Sequence, residues 1–423
     1  HKETLFRLSV NYSDFSKMKI LYLTYDGLSD PLGQSQVIPY IVGLSKRGHK
    51  IVVLSSEKKA PAELLATIRK NLEKHQIEWH SITYTKRPPV LSTIYDVLRM
   101  TLRSIRLNKV HRFGIVHCRS YITSLIGYYL KKSRDIRFIF DMRGFFADER
   151  IDGEMWDQNK FIYRLIYSFF KRFEAKFLNA ASYTVCLTES AQKEIWSWRS
   201  IPRQPIRIKV IPCCVDTTIF DPEKVEPQSR SQLMDELNIK PDDIVLSYIG
   251  AIGTWYLLDE MLEFFRKLKQ SYPNAKFLFV THKEQQDIKA RWGKNGLNPE
   301  DLIIRSSNHQ QVPCLLSLSH LSIFFIKPVY SKIASSPAKM AEIMSMGIPV
   351  LCNANVGDTS EIIQKTGTGV VVQSFSEMDY DFIIEQIPQL LSIPSQKIRN
   401  AAIEHFSLDV GVLSYEQVYK LAQ

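Results

Sequence analysis

The residues best suited to chemistry lie between positions 330 and 358, in the run YSKIASSPAKMAEIMSMGIPVLCNANVGD. Ser335 and Ser336 are good helix N-cap residues, and Pro337 suits the first helical position, where its missing N–H costs nothing. Gly347 supplies a C-terminal stop. We therefore predict a helix of about three turns from about Pro337 to Gly347, with a buried strand after it.

The start of such a helix is a natural site for an anion, because its first N–H groups are unpaired and carry a partial positive charge. Lys339 in the first turn and Lys332 just before the helix add whole charges, so phosphate is the expected ligand. Glu342 lies one turn after Lys339, where its carboxylate can accept hydrogen bonds from sugar or ribose hydroxyls. The alternative interpretation is an ordinary capped helix with a surface Lys–Glu pair.

A second candidate is the loop DGLSDPLGQSQ at 26–36, which follows the first predicted strand and opens a helix. Gly27 and Gly33 would let the backbone approach a ligand, and Gln34 and Gln36 offer hydrogen bonds suited to hydroxyls. The loop lacks the GxGxxG spacing of dinucleotide binders, and a simple strand-to-helix turn is the other interpretation.

Polar residues also stand at the ends of two later strands of the first half. His117 and Arg119 end one strand, and Asp141 and Arg143 end the next. Because the carboxyl ends of parallel strands meet at one edge of a sheet, we expect His117, Arg119 and Arg143 to face a common cleft and to act there. The alternative for a histidine in an apolar strand is a place in the core.

The second half supplies a glycine loop of its own. Gly250 and Gly253 follow a predicted strand, with Thr254 next. Close approach of a phosphate is the functional interpretation, and tight packing of strand on helix is the structural one. The predicted phosphate- and sugar-binding set is therefore Gly33, Gly250, Gly253, Thr254, Lys332, Ser335, Ser336, Lys339 and Glu342.

These loops need a frame of alternating strands and helices, and the sequence predicts such a frame twice. In the first half the predicted strands are Lys19–Tyr25, Lys50–Ser55, Glu78–Tyr84, Gly114–Arg119, Arg137–Arg143, Tyr183–Thr188 and Ile208–Pro212. In the second half they are Val245–Gly250, Lys276–Thr281, Leu302–Ser306, Leu321–Lys327, Val350–Asn353 and Gly369–Val372. Periodic apolar stretches of helical length separate most of them, which indicates two doubly wound α/β domains that face each other across a cleft.

Two helices carry much of the basic charge of the first half. One is Thr93–Lys109. Its apolar stripe is formed by Ile94, Leu98, Leu102 and Ile105, and its basic face by Arg99, Arg103 and Arg106. The other is Phe161–Leu178, with a wide aromatic and aliphatic stripe flanked by Arg164, Lys171, Arg172 and Lys176. Each is either a helix that lies on an anionic membrane or a core helix with a solvated basic face.

Length and composition set the class of protein. A chain of 423 residues with 45% hydrophobic and 23% charged residues is expected to fold as two globular domains. Its six cysteines show no metal-ligand spacing, which favours a reduced compartment and no structural zinc. No apolar run reaches the roughly 18 to 20 residues that cross a bilayer, and no signal peptide is visible, so we expect a protein that neither spans a membrane nor is secreted.

Positive charge is concentrated in the first 200 residues, which hold 33 Lys/Arg and 19 Asp/Glu. Such asymmetry indicates an anionic partner on that half: nucleic acid, a phosphorylated lipid or an anionic membrane surface. No recognition motif accompanies the charge, so we do not expect nucleic acid. Residues 1–17 precede Met18, which has the look of a natural start, and they are assigned no function.

Five motifs, in their order and spacing, resemble the retaining glycosyltransferases of family 4, also called group 1. They are DPLGQSQ at 30–36, VHCRS at 116–120, FDMRGFFADER at 140–150, VIPCCVDTTIF at 210–220 and SSPAKMAEIMSMGIPV at 335–350. The resemblance implies a GT-B fold, a nucleotide-sugar co-substrate, no other cofactor and no metal ion. The implied parts are an acceptor-binding domain (18–212), a linker (213–242), a donor-binding domain (243–409) and a helix that crosses back to the first domain (410–423).

The resemblance also assigns single residues. Glu342 matches the second glutamate of the family's E-x7-E motif, which holds the nucleotide ribose, but the first glutamate would fall at Ala334. The family's usual Arg and Lys in the glycine loop would fall near Ala251 and Tyr256, so both charges are missing. His117 matches a strand-end histidine that contacts the transferred sugar.

The missing charges leave the departing diphosphate to other groups. We expect Lys339, Lys332 and the helix start, with Arg119 or Arg143 reaching across the cleft, to take their place.

The expected activity is therefore retaining, metal-independent hexosyl transfer from a nucleotide-sugar to a glycan or lipid-linked acceptor of the cell-surface polysaccharide type. We expect it in the cytoplasm, with peripheral contact at the inner face of an anionic membrane. Two alternatives remain, a degenerate protein of this fold that binds a sugar nucleotide without turnover and a nucleotide-sugar epimerase of the same architecture.

Overall fold

The first domain is built on a seven-stranded parallel sheet. The computed structural model describes residues 19–202 and 204–422, so Met18 and residues 1–17 lie outside the described residues. The strands are β1 (Lys19–Thr24), β2 (Lys50–Glu57), β3 (Glu78–Thr83), β4 (Ile115–Arg119), β5 (Arg137–Asp141), β6 (Tyr183–Cys186) and β7 (Ile208–Val210). Their order across the sheet is β3-β2-β1-β4-β5-β6-β7.

The second domain repeats the plan with a six-stranded parallel sheet. Its strands are β8 (Ile244–Ile249), β9 (Ala275–Val280), β10 (Leu302–Arg305), β11 (Leu321–Phe324), β12 (Val350–Asn353) and β13 (Gly369–Val372), in the order β10-β9-β8-β11-β12-β13. All the predicted strands are present, and the predicted class of two doubly wound α/β domains is confirmed. Several strands end earlier than predicted, where the backbone leaves the ladder for the loops at the carboxyl edge.

Helices connect the strands. Those up to the end of the first sheet are α1 (Pro31–Gln36), α2 (Ile38–Lys46), α3 (Ala62–Lys74), α4 (Leu91–His111), α5 (Ser120–Arg134), α6 (Phe146–Asp152), α7 (Phe161–Ala180) and α8 (Glu189–Ser197). Those that follow are α9 (Pro227–Glu236), α10 (Leu258–Ser271), α11 (Gln285–Lys294), α12 (Val312–Leu316), α13 (Ala338–Ser345), α14 (Thr359–Thr366), α15 (Glu377–Glu385), α16 (Ile387–Leu391), α17 (Ser395–Phe406) and α18 (Leu408–Leu421).

The central strands are buried on both faces, as parallel sheets require. In β1, Leu21 and Leu23 pack into the apolar cluster on one face of the sheet, whereas Ile20 and Tyr22 pack into the cluster on the other face. This alternation follows from the two-residue period of a strand. Buried strands hold the loops at their carboxyl ends in fixed positions, and those loops form the candidate site.

The C-terminal helix α18 packs on α2 of the first domain, where Glu416 pairs with Arg47 at 2.6 Å. Just before α18, the backbone of Leu408 donates to Val215 O, and Val215 in turn donates to Phe406 O. The two chain crossings between the domains therefore run side by side. The predicted linker region also contains α9, which packs on α12 of the second domain.

Most of the predicted apolar stripe of α4 does not lie in the core. Ile94, Leu98 and Leu102 are 51%, 58% and 57% exposed, and the buried face carries Asp96 and Met100 instead. Asp96 can be buried because its carboxylate accepts hydrogen bonds from the backbone N–H and the hydroxyl of Thr85 and from the hydroxyl of Tyr25. The core interpretation is therefore wrong for these three residues, whereas Ile105 of the same stripe packs against the core. None of the described helices is long and apolar enough to cross a membrane.

Candidate active site

The helix predicted to bind an anion is present, but it begins later than predicted. α13 starts at Ala338, and Pro337 takes the N-cap position with no side-chain cap. Ser335 and Ser336 are therefore not caps, and this part of the prediction is wrong. The Ser336 hydroxyl instead accepts a hydrogen bond from the backbone N–H of Cys213 at 3.1 Å, which ties the helix start to the linker. Gly347, with φ +71°, ends the helix as predicted.

Lys339 is the most unusual side chain of the site. It is 8% exposed, and its Nζ has no hydrogen-bond partner among the described residues. The ammonium lies 3.8 Å from the ring centroid of Tyr248 and 3.5 Å from that of Tyr256. Burial lowers the pKa of Lys339 well below its usual value, and nearby Glu342 only partly opposes this effect. A cation buried in this way is costly unless a ligand pairs with it.

The glycine loop after β8 lies directly against this lysine. A Cβ on Gly250 would stand 3.7 Å from Lys339 Nζ, and the φ of Gly250 is +90°. Gly253 also has a positive φ, +54°, and a Cβ there would meet no atom within 4 Å, while Thr254 is exposed. The structure thus brings Gly250 and Lys339 together and leaves the turn at Gly253 and Thr254 open to solvent. Both glycines adopt a backbone conformation that other residues rarely take.

Lys332 is placed differently from the prediction. It lies in a 3-10 helix, Tyr330–Ala334, that precedes α13. Its Nζ is 2.7 Å from Glu149 Oε1 in the first domain and 3.6 Å from the ring centroid of Trp255. Its charge is therefore engaged between the domains, and binding a donor phosphate would require Lys332 to leave Glu149.

Glu342 lies on the face of α13 that carries Lys339, as predicted. Its Oε1 is 3.3 Å from Nε2 of His309, which follows β10. The bond to Glu342 raises the pKa of His309 against the opposing effect of burial, and Asp216 adds to the rise. The side chain of Glu342 is 17% exposed. It is therefore near both the lysine and the open side of the site.

The side chains of His117 and Arg143 lie inside the first domain, 1% and 8% exposed. His117 Nδ1 lies 2.7 Å from the hydroxyl of Tyr419 on α18, and its Nε2 lies 3.3 Å from Asp141 Oδ2. Arg143 Nη1 is 3.4 Å from the hydroxyl of Tyr415, also on α18, and 3.9 Å from Asp141 Oδ1. Both ring nitrogens of His117 are engaged, so the predicted contact with a transferred sugar would require one of these bonds to open.

The electrostatics of this cluster favour a charged carboxylate beside a neutral imidazole. Burial lowers the pKa of His117, although the bond to Asp141 opposes the effect. Burial alone would raise the pKa of Asp141, but Arg143 and His117 hold that pKa below its usual value. The cluster fastens α18 to the first sheet through hydrogen bonds that the sequence pattern alone does not indicate.

Arg119 is a buried cation of the first domain, and its Nε–H donor is not hydrogen-bonded to any of the described residues. It is 4% exposed, and the nearest carboxylate is Asp26 at 3.7 Å. Asp26, whose side chain is 43% exposed, opens the loop after β1. Arg119 and Lys339 thus each present an unsatisfied buried donor, one from each domain.

The loop after β1 is held by Glu57, which is not among the predicted site residues. The Glu57 carboxylate at the end of β2 accepts from the backbone N–H groups of Leu28 and Ser29 at 2.7 and 3.1 Å, and from the hydroxyl of Ser29. Gly33 packs inside the same loop, since a Cβ there would lie 2.1 Å from Gly27 O. Gly33 is therefore needed for the fold of the loop. The sequence does show Glu57 as a charged residue at the end of an apolar strand, and that pattern could have indicated its role.

A cavity of about 280 Å³ lies between the domains on another side of α13. It is lined by Ser335 and Ser336 but by neither Lys339 nor Gly250. At its edge, Asp358 accepts from the backbone N–H of Glu189 and so caps α8 across the domain boundary. The cavity is separate from the lysine and the glycine loop. The described residues contain no group of three or more His, Cys, Asp or Glu side chains placed to hold a metal ion.

Family comparison identifies the chain. The model "Glycosyltransferase Family 4" matches residues 37–219, and the model "Glycosyl transferases group 1" matches residues 229–405. The chain belongs to the group 1 glycosyltransferases. This group 1 glycosyltransferase is thus an enzyme of the class that the five motifs indicated, and the two matches fall on its two sheets. Comparison with curated protein sequences gives no match.

Solved structures support the fold of this group 1 glycosyltransferase. A glycosyltransferase from Rickettsia africae superposes with a TM-score of 0.69 at 16% identity, covering 96% of this chain and 99% of the other. Anabaena Alr3699/HepE, solved with UDP and glucose, gives 0.69 at 14% identity and covers 95% and 99%. WaaG, a glycosyltransferase involved in lipopolysaccharide biosynthesis, gives 0.66 at 15% identity and covers 94% and 99%. The GT-B architecture is therefore confirmed.

Proposed function

We propose that this protein is a retaining, metal-independent hexosyltransferase that moves a sugar from a nucleotide-sugar to a glycan or lipid-linked acceptor of the cell-surface polysaccharide type. The observation that carries the proposal is the buried ammonium of Lys339, which faces Gly250 without a hydrogen-bond partner. A diphosphate supplies the missing anion. The similar HepE structures hold UDP and UDP-glucose, which supports the choice of a nucleotide-sugar.

Each residue of the site then has a separate role in the proposed reaction. Lys339 and the N–H groups at the start of α13 bind the diphosphate and stabilise the charge that develops on it as the sugar leaves. Gly250 lets a phosphate oxygen approach the backbone, and Glu342 accepts hydrogen bonds from the ribose. Arg119 reaches the donor from the first domain. Lys332 would join them only after release from Glu149.

The bond changes need no protein nucleophile and no metal or other cofactor. The acceptor hydroxyl attacks the anomeric carbon on the face from which the diphosphate departs, and a diphosphate oxygen takes the hydroxyl proton. The new glycosidic bond thereby replaces the sugar–phosphate bond with the same configuration. His117 and Arg143 contribute by holding Asp141 and α18 in place. They thereby stabilise the carboxyl edge of the first sheet, where Arg119 lies.

The test begins with a thermal-shift panel of UDP-, GDP-, ADP- and CMP-sugars, because a ligand bound only by the folded state raises the melting temperature. The donor that shifts the protein is then incubated with EDTA, and the anomeric configuration of the product is read by proton NMR. We expect turnover with EDTA and an unchanged configuration. Absence of any shift refutes the donor site, and an inverted product refutes retention.

A second candidate, a protein that binds a sugar nucleotide without turnover, is favoured by the engaged Lys332 and by the uncharged Ala251 and Tyr256. Slow hydrolysis of the bound nucleotide-sugar distinguishes the enzyme from a protein that only binds the donor. It is measured as release of the free nucleoside diphosphate. Hydrolysis that the wild type performs and a Lys339→Met variant does not perform supports the enzyme.

We also propose that the protein acts in the cytoplasm with its first domain on the inner face of an anionic membrane. The contact surface consists of the outer faces of α4, α5 and α7, with α5 packed between the other two. Its large apolar side chains are between 42% and 71% exposed: Leu91, Ile94, Tyr95, Leu98, Leu102, Tyr129, Phe161, Ile162, Leu165 and Phe169. Exposed apolar residues concentrated in this way mark an interaction surface.

The charge of the same three helices is one-sided. Their acidic residues are Asp96 and Glu174, which are 0% and 2% exposed. Their basic residues are Arg99, Arg103, Arg106, Lys109, Lys131, Lys132, Arg134, Arg164, Lys171, Arg172 and Lys176. Each basic residue near an anionic bilayer contributes about 1 kcal/mol of attraction. An apolar surface surrounded by basic residues matches an anionic lipid surface better than it matches another protein.

Vesicle sedimentation tests the surface. The wild type should sediment with vesicles of phosphatidylcholine mixed with phosphatidylglycerol and not with phosphatidylcholine alone. Leu98→Glu and Phe161→Glu should abolish sedimentation and keep the nucleotide-induced thermal shift. Met378→Glu, which changes a 78% exposed residue of the second domain, is the matched control. Equal sedimentation of all variants would refute the surface.

A further inference from the structure

The Glu342 carboxylate depends on one neighbour for its position. Among the described residues, the bond from His309 Nε2 at 3.3 Å is the hydrogen bond that its side chain makes. His309 lies in the loop after β10, on a different element from Glu342, so the contact joins two parts of the second domain. A glutamate side chain has three rotatable bonds, and this hydrogen bond restricts where its carboxylate lies.

His309 is itself fixed from the other side. Its ring packs edge-on against Phe220 of the linker, with the ring centroids 5.1 Å apart. Two carboxylates face this imidazole, Glu342 from α13 and Asp216 from the linker, and both raise the pKa of His309. Glu342 in turn influences the charge of Lys339, which faces the glycine loop.

The arrangement leaves one oxygen of Glu342 for a ligand. Oε1 takes the bond from His309, and Oε2 has no protein partner among the described residues. The protonated imidazole donates from both nitrogens, whereas the neutral ring donates from only one. The bond that positions Glu342 is therefore strongest when His309 carries its second proton.

We propose that His309 is a positioning residue that holds the Glu342 carboxylate in place for the hydroxyls of the donor's ribose and so sets the preference for ribonucleotides. The inference rests on the proposed function, in which Glu342 binds the ribose. It adds a residue that does not touch the donor and a dependence of donor recognition on the protonation of a histidine.

The experiment compares UDP, GDP, ADP and CDP with their 2′-deoxy forms by isothermal titration calorimetry. The wild type should bind its ribonucleotide about 10-fold more tightly than the deoxy form, the ratio expected for one hydrogen bond to a charged group. His309→Ala should lower this ratio towards one. His309→Gln, whose amide can still donate, should keep the ratio but lose its dependence on pH. His282→Ala, a change at an exposed histidine of the same domain, is the matched control.

The pH series gives a readout that a merely structural role would not change. In the wild type the ratio should fall as the pH rises through the raised pKa of His309, and in His309→Gln it should stay constant. If His309→Ala keeps the wild-type ratio, the proposal is wrong. If Glu342→Ala also keeps it, the ribose assignment of the proposed function fails instead, and if no nucleotide binds the wild type, both fail. Should His309→Ala not fold, a flat wild-type pH series also overturns the proposal.

Discussion

Lys339→Met is the most informative single substitution, because it removes the ammonium and keeps most of the side-chain volume between Tyr248 and Tyr256. A hydrogen bond to a charged group contributes about 1.5 to 3 kcal/mol, which corresponds to about 10- to 150-fold in affinity. We therefore expect the nucleoside diphosphate to bind about 10- to 150-fold more weakly. Turnover should fall at least as far, since the charge on the diphosphate grows as the sugar leaves.

The effect on stability has the opposite direction. In the free protein Lys339 Nζ is buried without a hydrogen bond, which costs at least about 1 to 3 kcal/mol, and the two tyrosine rings return about 2 kcal/mol of this at a desolvated site. Lys339→Met should therefore melt at the wild-type temperature or above it. A variant that loses ligand affinity without losing stability shows that the lysine is kept for the ligand.

Calorimetry with the nucleoside diphosphate and thermal melts of the free protein provide both readouts. Lys289→Met, at an exposed position of α11, controls for the loss of a lysine from the same domain. The double variant Lys339→Met/Tyr256→Lys returns a cation to the same space, because Nζ of Lys339 lies 3.5 Å from the Tyr256 ring centroid. It should bind more tightly than Lys339→Met. Wild-type affinity in Lys339→Met would refute the phosphate site.

Three further substitutions test the frame around the site. Gly153→Ala would bring a methyl group within 2.8 Å of the Trp255 ring, so it should lower the free energy of unfolding in urea by about 1 to 3 kcal/mol, and an unchanged value would contradict the contact. Glu57→Ala leaves backbone N–H groups of the β1–α1 loop unpaired and should lower the free energy of unfolding in urea by about 1 to 3 kcal/mol. Because the folded pKa of Asp141 lies below its unfolded value, its contribution is present above about pH 3.9 and is lost as the pH falls. Asp141→Asn should therefore destabilise the protein at pH 7, and its urea midpoint should approach that of the wild type in acid.

The fold could be predicted from the sequence because buried parallel strands leave a strong local signal. Runs such as Val350–Asn353 are apolar on both faces, and the loops between strands carry the glycines and prolines that end them. The α4 stripe shows where the same reasoning fails. An amphipathic pattern gives the period of a helix but not which face is buried, and here the buried face holds Asp96 with its hydrogen bonds together with Met100 and Leu107.

The site could be predicted only in part, because spacing along the chain does not show what a side chain contacts across a domain boundary. Lys339 and Gly250 come together as expected, since both follow strands of one sheet. Lys332 and His117 looked equally available, but their partners, Glu149 and Tyr419, lie 183 and 302 residues away in sequence. No local pattern records such pairs.

The glycine loop runs from the proposed phosphate site to the contact between the domains. Gly250 faces Lys339. Five residues later, Trp255 packs against Gly153, which follows α6 of the first domain, and lies under the ammonium of Lys332. A phosphate bound at Gly250, as proposed, would therefore contact a loop whose other end touches the opposite domain. Because Lys332 is also bound to Glu149, release of that pair would free a second cation for the diphosphate and loosen the contact at Trp255 in the same step. Under the proposed function, Lys332 would therefore serve either the contact between the domains or the donor, but not both at once.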